Sequence, residues 1–423
     1  MQIDQRDEHY FKMFWGAHTL SSLGSKMHQA ALLWHIYTVS GSVLALGLIG
    51  LAKLIPTLIL ILIGGYISDC GRRRLSLLGA QYALAVIAIG LGFISFFGHS
   101  NYVLVSLYIS AVLTECASTF DGPARKSLIP LLVHPSRLSA AISLTGISKN
   151  ATKLTGPALM GLMVAYMDIG WVYITNGLSY LVFIAVILKI PPEVIDPLPE
   201  WVSSMENTDE KKVVRISFLQ ATRQFIVSIR EGIVFLWRSP VLLSILSLDF
   251  VANLWAAATV LLPVYAKEVL SLGSGGYGLL ASSIAAGGLI ASAALLYLPD
   301  PVYKGRGVIL GGALFGVGTI MLGFSERFLT SVFALALIGA SDQVGSVLRN
   351  TLHQLSLPDE LRGRLTAINM IFTKSGPRLG ELEAGLAAAW LGLTPSIIFG
   401  GVACVFSVGL IVYCYNDLWW HET

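Results

Sequence analysis

The stretch "GGYISDCGRRRLSLLG", residues 64–79, is a polar island between two apolar runs. The runs on either side, 43–67 and 75–97, are each long enough to cross a bilayer. About 20 residues rising 1.5 Å each span the ~30 Å hydrocarbon layer. Arg72, Arg73 and Arg74 stand together between them. Three consecutive arginines in so short a loop hold it on the cytoplasmic side, where lysine and arginine accumulate.

The rest of the chain repeats this pattern. Of its 423 residues, 55% are hydrophobic and 13% charged, with a mean hydropathy of +0.72. Soluble domains carry about 25% charged residues, so a water-soluble globule is excluded and the lipid bilayer is the main solvent. The 42 glycines suit helices that pack closely in lipid. A net charge of +3 gives no reason to expect nucleic acid as a partner. Cys70, Cys116, Cys404 and Cys414 lack metal-ligand spacing and form no disulfide framework. The start, "MQIDQRDEHYFK", lacks the features of a cleavable signal peptide.

Apolar segments are read as helices near 11–38, 43–67, 75–97, 102–124, 137–166 and 170–189, and again near 239–266, 276–298, 307–325, 329–355, 364–391 and 394–415. The expected fold is an all-α integral membrane protein of twelve transmembrane helices in two six-helix bundles. Residues 1–190 form the first bundle and 239–423 the second. Between them, 191–238 is a polar linker whose later part, "FLQATRQFIVSIREGIVFLWRSP", reads as an amphipathic helix on the membrane surface. The breaks at 39–42, 98–101 and 167–169 carry no lysine or arginine, whereas those at 69–74 and 125–137 carry several. This alternation puts both termini in the cytoplasm of a multi-pass plasma (inner) membrane protein. "HPSRLSAAISL" (134–144) echoes "LPDELRGRLTA" (357–367), a trace of the internal repetition from which carriers are built.

"GGYISDCGRRR" resembles the loop between the second and third helices of the major facilitator superfamily, a G-x-x-x-D-R-x-G-R-R/K pattern, with departures at Cys70 and Gly71. "FDGPARKSLIPLLV" (120–133), "GPALMG" (156–161) and "RGRLTAINMIFTKSGPRLGELEAGLAAAWLG" (362–392) are similar to segments of the branch that contains enterobactin exporters and drug–proton antiporters. That resemblance implies a gating loop of Gly65, Asp69, Arg73 and Arg74, and a helix-5 antiporter element of Gly156, Pro157 and Gly161. It also implies a monomer that uses no cofactor.

Ionisable residues within apolar spans are costly and normally face a cavity or a partner. Lys149 and Lys153 lie one turn apart; Asp342 and Arg349 share a helix face at i and i+7. Lys374, Arg378 and Glu381 share another at i, i+4 and i+7, whereas Glu383 points elsewhere. The transport or proton-coupling residues expected from these patterns are Asp249, Asp342, Glu381, Glu383, Lys149, Lys374, Arg378 and Arg349. The competing reading is that they are fixed ion pairs between helices. Ser25 and Lys26 stand where many relatives carry a helix-1 acid, which argues against coupling there. Pro157 and Pro377 are expected to kink or break their helices.

The function expected is secondary active export of an organic solute, a drug-like compound or siderophore, with protons as the second partner. A lysophospholipid flippase, an importer and a non-transporting sensor or scaffold are the alternatives. There is no G-x-x-x-x-G-K-[ST] and no convergent nucleophile, base or metal set, so neither an enzyme nor a metal site is expected.

Overall fold

The computed structural model describes residues 2–69, 73–195, 236–237, 239–255, 257–298, 303–355 and 362–415. Its first six long helices are α1 Gln2–Ser40, α2 Val43–Asp69, α3 Arg73–Phe97, α4 Ser100–Leu128, α5 Leu138–Tyr166 and α6 Gly170–Lys189. The second six are α7 Pro240–Trp255, α8 Ser274–Tyr297, α9 Lys304–Gly323, α10 Phe328–Leu355, α11 Arg362–Leu391 and α12 Leu393–Cys414. Two six-helix bundles result, and the described residues contain no strand. Most of the linker, with the proposed surface helix, lies outside the described residues.

Lipid rather than water explains the outer faces. Helix α3 exposes Leu75, Tyr82, Val86, Phe93 and Phe97 while it buries Leu77, Leu84, Ala85, Ala88 and Leu91. In water so many exposed large apolar groups would drive aggregation; in a bilayer they face acyl chains. Nine spans among the described residues are long and apolar enough to cross a membrane. The helices that fall short are α1, α5 and α11, each diluted by charges at mid-length. That shortfall locates the polar interior.

The bundles meet along two seams, α2 against α11 and α5 against α8. Both rest on glycine. A Cβ on Gly47 would stand 2.7 Å from the Gly385 Cα, and one on Gly161 2.5 Å from the Ser274 carbonyl oxygen. Backbones this close leave no room for any side chain. These contacts lie near the ends of the helices that border the loops at 41–42, 167–169 and 270–273.

At that loop end one apolar cluster joins both bundles. It includes Leu46, Leu107 and Met160 from the first and Tyr265, Tyr277 and Ile397 from the second. Trp34 stacks on Tyr277 at 5.4 Å, and the Tyr277 hydroxyl donates to the Ala30 carbonyl at 3.3 Å. Toward the linker end the described clusters stay within one bundle. Phe14, Leu77, Leu128 and Ile187 pack on one side, and Ile245, Leu248, Leu352 and Cys404 on the other. The bundles are therefore joined at the loop end, and among the described residues no apolar cluster joins them toward the linker end.

Helix α11 is continuous through Pro377 and α5 through Pro157, as α2 is through Pro56, so neither proline breaks its helix. The interruption lies instead in the seventh span, where α7 gives way to a 3-10 turn at Ala258–Leu261, one α turn at Leu262–Val264 and a π segment at Tyr265–Val269. Pro263 lacks a backbone donor within that region. The break aims the Tyr265 hydroxyl at the Ser325 carbonyl, 2.5 Å away, and at the Ser331 hydroxyl, 2.8 Å away.

Candidate functional site

The charged helices converge between the bundles. At 1.5 Å per residue, Lys26, Lys53, Asp342 and Arg378 lie about 15–21 Å from the loop ends of α1, α2, α10 and α11. That is near the middle of a ~30 Å hydrocarbon layer.

One group straddles the seam. Arg378 on α11 donates to Glu115 on α4 at 3.0 Å and to Glu381, one turn along its own helix, at 2.9 Å. Glu115 also accepts from the Thr57 hydroxyl on α2 at 3.2 Å. Lys53 on α2 is near enough to interact electrostatically with Arg378, Glu381 and Glu115. The Gly50 Cα lies so close to α11 that a Cβ there would meet the Glu381 Cβ at 2.7 Å. The i, i+4, i+7 pattern of Lys374, Arg378 and Glu381 thus puts one charged face of α11 against the other bundle.

A second group lies within the second bundle. Arg349 on α10 pairs with Asp249 on α7 at 2.8 Å. Asp249 is 1% exposed and also accepts from Asn253 at 2.8 Å and from the Thr373 hydroxyl at 3.2 Å. Asp249 is thereby held in an ion pair with two further hydrogen bonds. Asp342 differs: it is open to solvent within the chamber, with Arg349 and Asp249 on one side and Lys153 of the opposite bundle on the other.

A third group is cationic. Lys26, Lys53, Lys149, Lys153 and Lys374 come from four helices, and Lys26 feels the like charge of the other four. Lys149, Lys153 and Gly156 fall on one stripe of α5 at i, i+4 and i+7. A Cβ at Gly156 would meet the Lys26 Cβ at 2.5 Å, which sets α1 directly on that stripe. Trp15 fastens the same two helices by donating to the Ser148 hydroxyl at 2.8 Å. Lys26 donates to Gln29 at 2.9 Å, whereas Lys149, Lys153 and Lys374 are solvent-exposed.

Beside the chamber, α1–α4 and α6 enclose a cavity of about 100 Å³ lined by His28, Lys53, Glu115, Asp121, Arg125 and Tyr180, among others. Asp121 pairs with Arg125 and accepts from Gln81 at 2.5 Å. His28 is 4% exposed, packs edge-on against Tyr173 and has neither ring nitrogen hydrogen-bonded among the described residues.

Of the residues read from the sequence, Lys149, Lys374, Arg349, Arg378, Asp249, Asp342 and Glu381 gather in this region. Glu383 does not: about 200° around α11 from Glu381, it has no ion partner among the described residues. Gly156 and Gly161 serve two interfaces, with α1 and α8. The side chains of Gly65, Asp69 and Arg73 lie outside the described residues, while Arg74 donates to the Ile187 and Leu188 carbonyls at 3.3 and 3.2 Å. Sequence reasoning passed over Lys53 and gave Glu115 and the Asp121–Arg125 pair little weight. A lysine in the middle of "GLIGLAKLIPTL" and an acid in the α4 span are the signals that identify the first two.

Two six-helix bundles that meet around a charged, partly solvent-exposed region at mid-depth define a multi-pass membrane carrier. The chain belongs to the transmembrane secretion effector family of the major facilitator superfamily, whose profile matches residues 6–418. Its relatives are transporters, not enzymes. It is 25% identical to the staphyloferrin A transporter of Staphylococcus aureus, covering 96% of each chain. It is also 25% identical to the multidrug efflux pump Tap of Mycolicibacterium fortuitum, over 90% of this chain and 92% of that one. The enterobactin exporter of Salmonella choleraesuis is 23% identical over 83% of this chain and 79% of its own. Among solved structures, a bacterial homologue of the iron transporter ferroportin in an inward-facing state superposes with a TM-score of 0.70 at 17% identity, covering 97% and 98% of the two chains. That last likeness speaks to fold alone.

Proposed function

We propose that the protein exports an organic solute across the plasma membrane by alternating access, driven by counterflow of protons. The observation that carries this reading is a mid-depth group of charged side chains, Lys149, Lys153, Asp342 and Lys374 among them solvent-exposed, sealed at the loop end by two glycine seams; we take the chamber to open toward the linker end. With the positive loops inside, both termini and the opening face the cytoplasm, as a substrate-loading state requires. The multidrug efflux pump and the enterobactin exporter among the relatives support the direction. The bundles 1–190 and 239–423 rock about the chamber, and 191–238 is the tether between them.

In this mechanism, Asp342 is the acid that exchanges a proton. It is solvent-accessible, and the nearby Lys153 belongs to the bundle that moves. Rocking changes that separation, and with it the preference for the charged form. Glu115 and Glu381 hold Arg378 across the seam and report its opening. Asp69, Arg73 and Arg74 act at the cytoplasmic end, where the partner bundle closes.

The test is a comparison of exported metabolites between cells lacking and overproducing the protein, followed by a proton-flux assay in everted vesicles. A solute that accumulates outside only with the protein, and that dissipates a preformed pH gradient, is the expected result. Uptake along the gradient would indicate an importer. No proton movement would remove the coupling.

A further inference from the structure

Six cations of the central region (Lys26, Lys53, Lys153, Lys374, Arg349 and Arg378) face four acids, Glu115, Asp249, Asp342 and Glu381, an excess of two positive charges among these described residues. The distribution is more telling than the sum. The arginines are already engaged: Arg378 by Glu115 and Glu381, and Arg349 by Asp249. The nearby Asp121–Arg125 pair adds no net charge. Among the lysines, Lys53 lies near Glu115 and Glu381, and Lys153 lies near Asp342.

Lys26, Lys153 and Lys374 form no ion pair within 4 Å among the described residues. They come from both bundles, on α1, α5 and α11, and Lys26 is near enough to be repelled by each of the other two. Like charges held together at mid-membrane depth are unfavourable unless something neutralises them. A structure built only for stability would put acids opposite them. Here Lys26 has the uncharged Gln29 as its hydrogen-bond partner at 2.9 Å, and Asp342 is near Lys153 without forming an ion pair with it.

We infer that the chamber binds an organic anion carrying two or more carboxylate-type groups, held between the lysines of α1 and α5 in one bundle and Lys374 in the other. This rests on the carrier reading above and specifies its substrate class. A multivalent anion relieves the repulsion, and because its ligands lie on both bundles it draws them together. Loading is thereby coupled to closure of the open end. A lipophilic cation, the chemistry of many efflux substrates, would meet the same excess charge as a barrier.

The experiment uses the full-length protein in nanodiscs, with citrate and succinate as anionic probes and tetraphenylphosphonium as the cationic one. Binding is measured calorimetrically at low and high salt. Citrate is expected to bind more tightly than succinate, to weaken as salt rises, and to outcompete tetraphenylphosphonium. Lys26→Gln, Lys153→Gln and Lys374→Gln should each weaken citrate about tenfold, the scale of one charge-assisted contact. Arg327→Gln, at the exposed loop end, should leave it unchanged. Retained thermal unfolding temperatures show that each variant is folded.

Absence of citrate binding, tighter binding of the cation, or lysine variants indistinguishable from the parent overturns the inference. Cysteine accessibility from both membrane faces separates this from the carrier reading. If residues at the two ends alternate in exposure while citrate does not bind, the anion assignment falls and the carrier stands. If exposure never alternates, the carrier reading falls as well.

Discussion

The Glu115–Arg378 pair joins α4 of one bundle to α11 of the other at 3.0 Å, and Glu115→Gln tests whether it holds the loop end shut. The side chains are 17% and 24% exposed, so solvent screens the pair only in part. The substitution leaves Arg378 compensated by Glu381 at 2.9 Å, so no buried charge is orphaned. What is lost is one charge-assisted hydrogen bond, about 1.5–3 kcal/mol when formed to a charged group. The amide that replaces the carboxylate can still accept a hydrogen bond, which puts the expected loss near the lower figure. Since 1.4 kcal/mol is a factor of ten, the population closed at the loop end should fall about tenfold relative to its alternative. Spin labels on exposed Leu391 and at Ser42, which flank the α2–α11 seam, would report this as growth of a longer-distance component. Arg378→Gln, which leaves Glu115 and Glu381 beside Lys53, should produce a different and larger loss of stability. An unaltered distance distribution in Glu115→Gln, with normal unfolding temperature, would refute the reasoning that this pair secures the seam.

Other outcomes follow from the same geometry. Gly47→Leu puts side-chain atoms where the Gly385 backbone stands, so it should abolish closure at the loop end, seen as increased cysteine labelling of Tyr37→Cys from that face. Tyr37→Phe removes the hydroxyl that donates to Glu268 across the bundles; a smaller shift of the same sign, about three- to tenfold, is expected from the loss of about 1 kcal/mol. Asp342→Asn should slow proton flux in everted vesicles while leaving the fold intact by thermal unfolding; unchanged flux removes Asp342 from the coupling. A reporter fused after the last residue should be active in the cytoplasm alone.

Much of the architecture is legible in the sequence because lipid imposes a simple rule. Every span must satisfy its own backbone and present apolar groups outward, so helices such as 75–97 and 170–189 are visible as largely apolar runs. Ends of α1 and α4 extend beyond those runs, since the aqueous ends of a helix need no hydrophobicity. The break in the seventh span was not legible: Pro56, Pro157 and Pro377 also lie within long spans, and which proline interrupts a helix depends on neighbours that donate to the freed carbonyls. The charged face of α11 was legible from its i, i+4, i+7 spacing, but its partners were not. Glu115 is 263 positions from Arg378 along the chain, and only the α2–α11 seam brings them together. Asp249 and Asp342 look alike as isolated acids in apolar runs, yet one is sealed by Arg349 and Thr373 while the other faces solvent.

The claim beneath all of this is that two rigid bodies expose one charged chamber to each side in turn. Paired spin labels at Ile142 and Leu355, both exposed toward the linker end, measure it directly alongside the pair at Ser42 and Leu391. When substrate or a proton gradient is imposed, the account predicts that the first distance shortens as the second lengthens. Two distances that stay fixed under every condition, or that lengthen together, would contradict it.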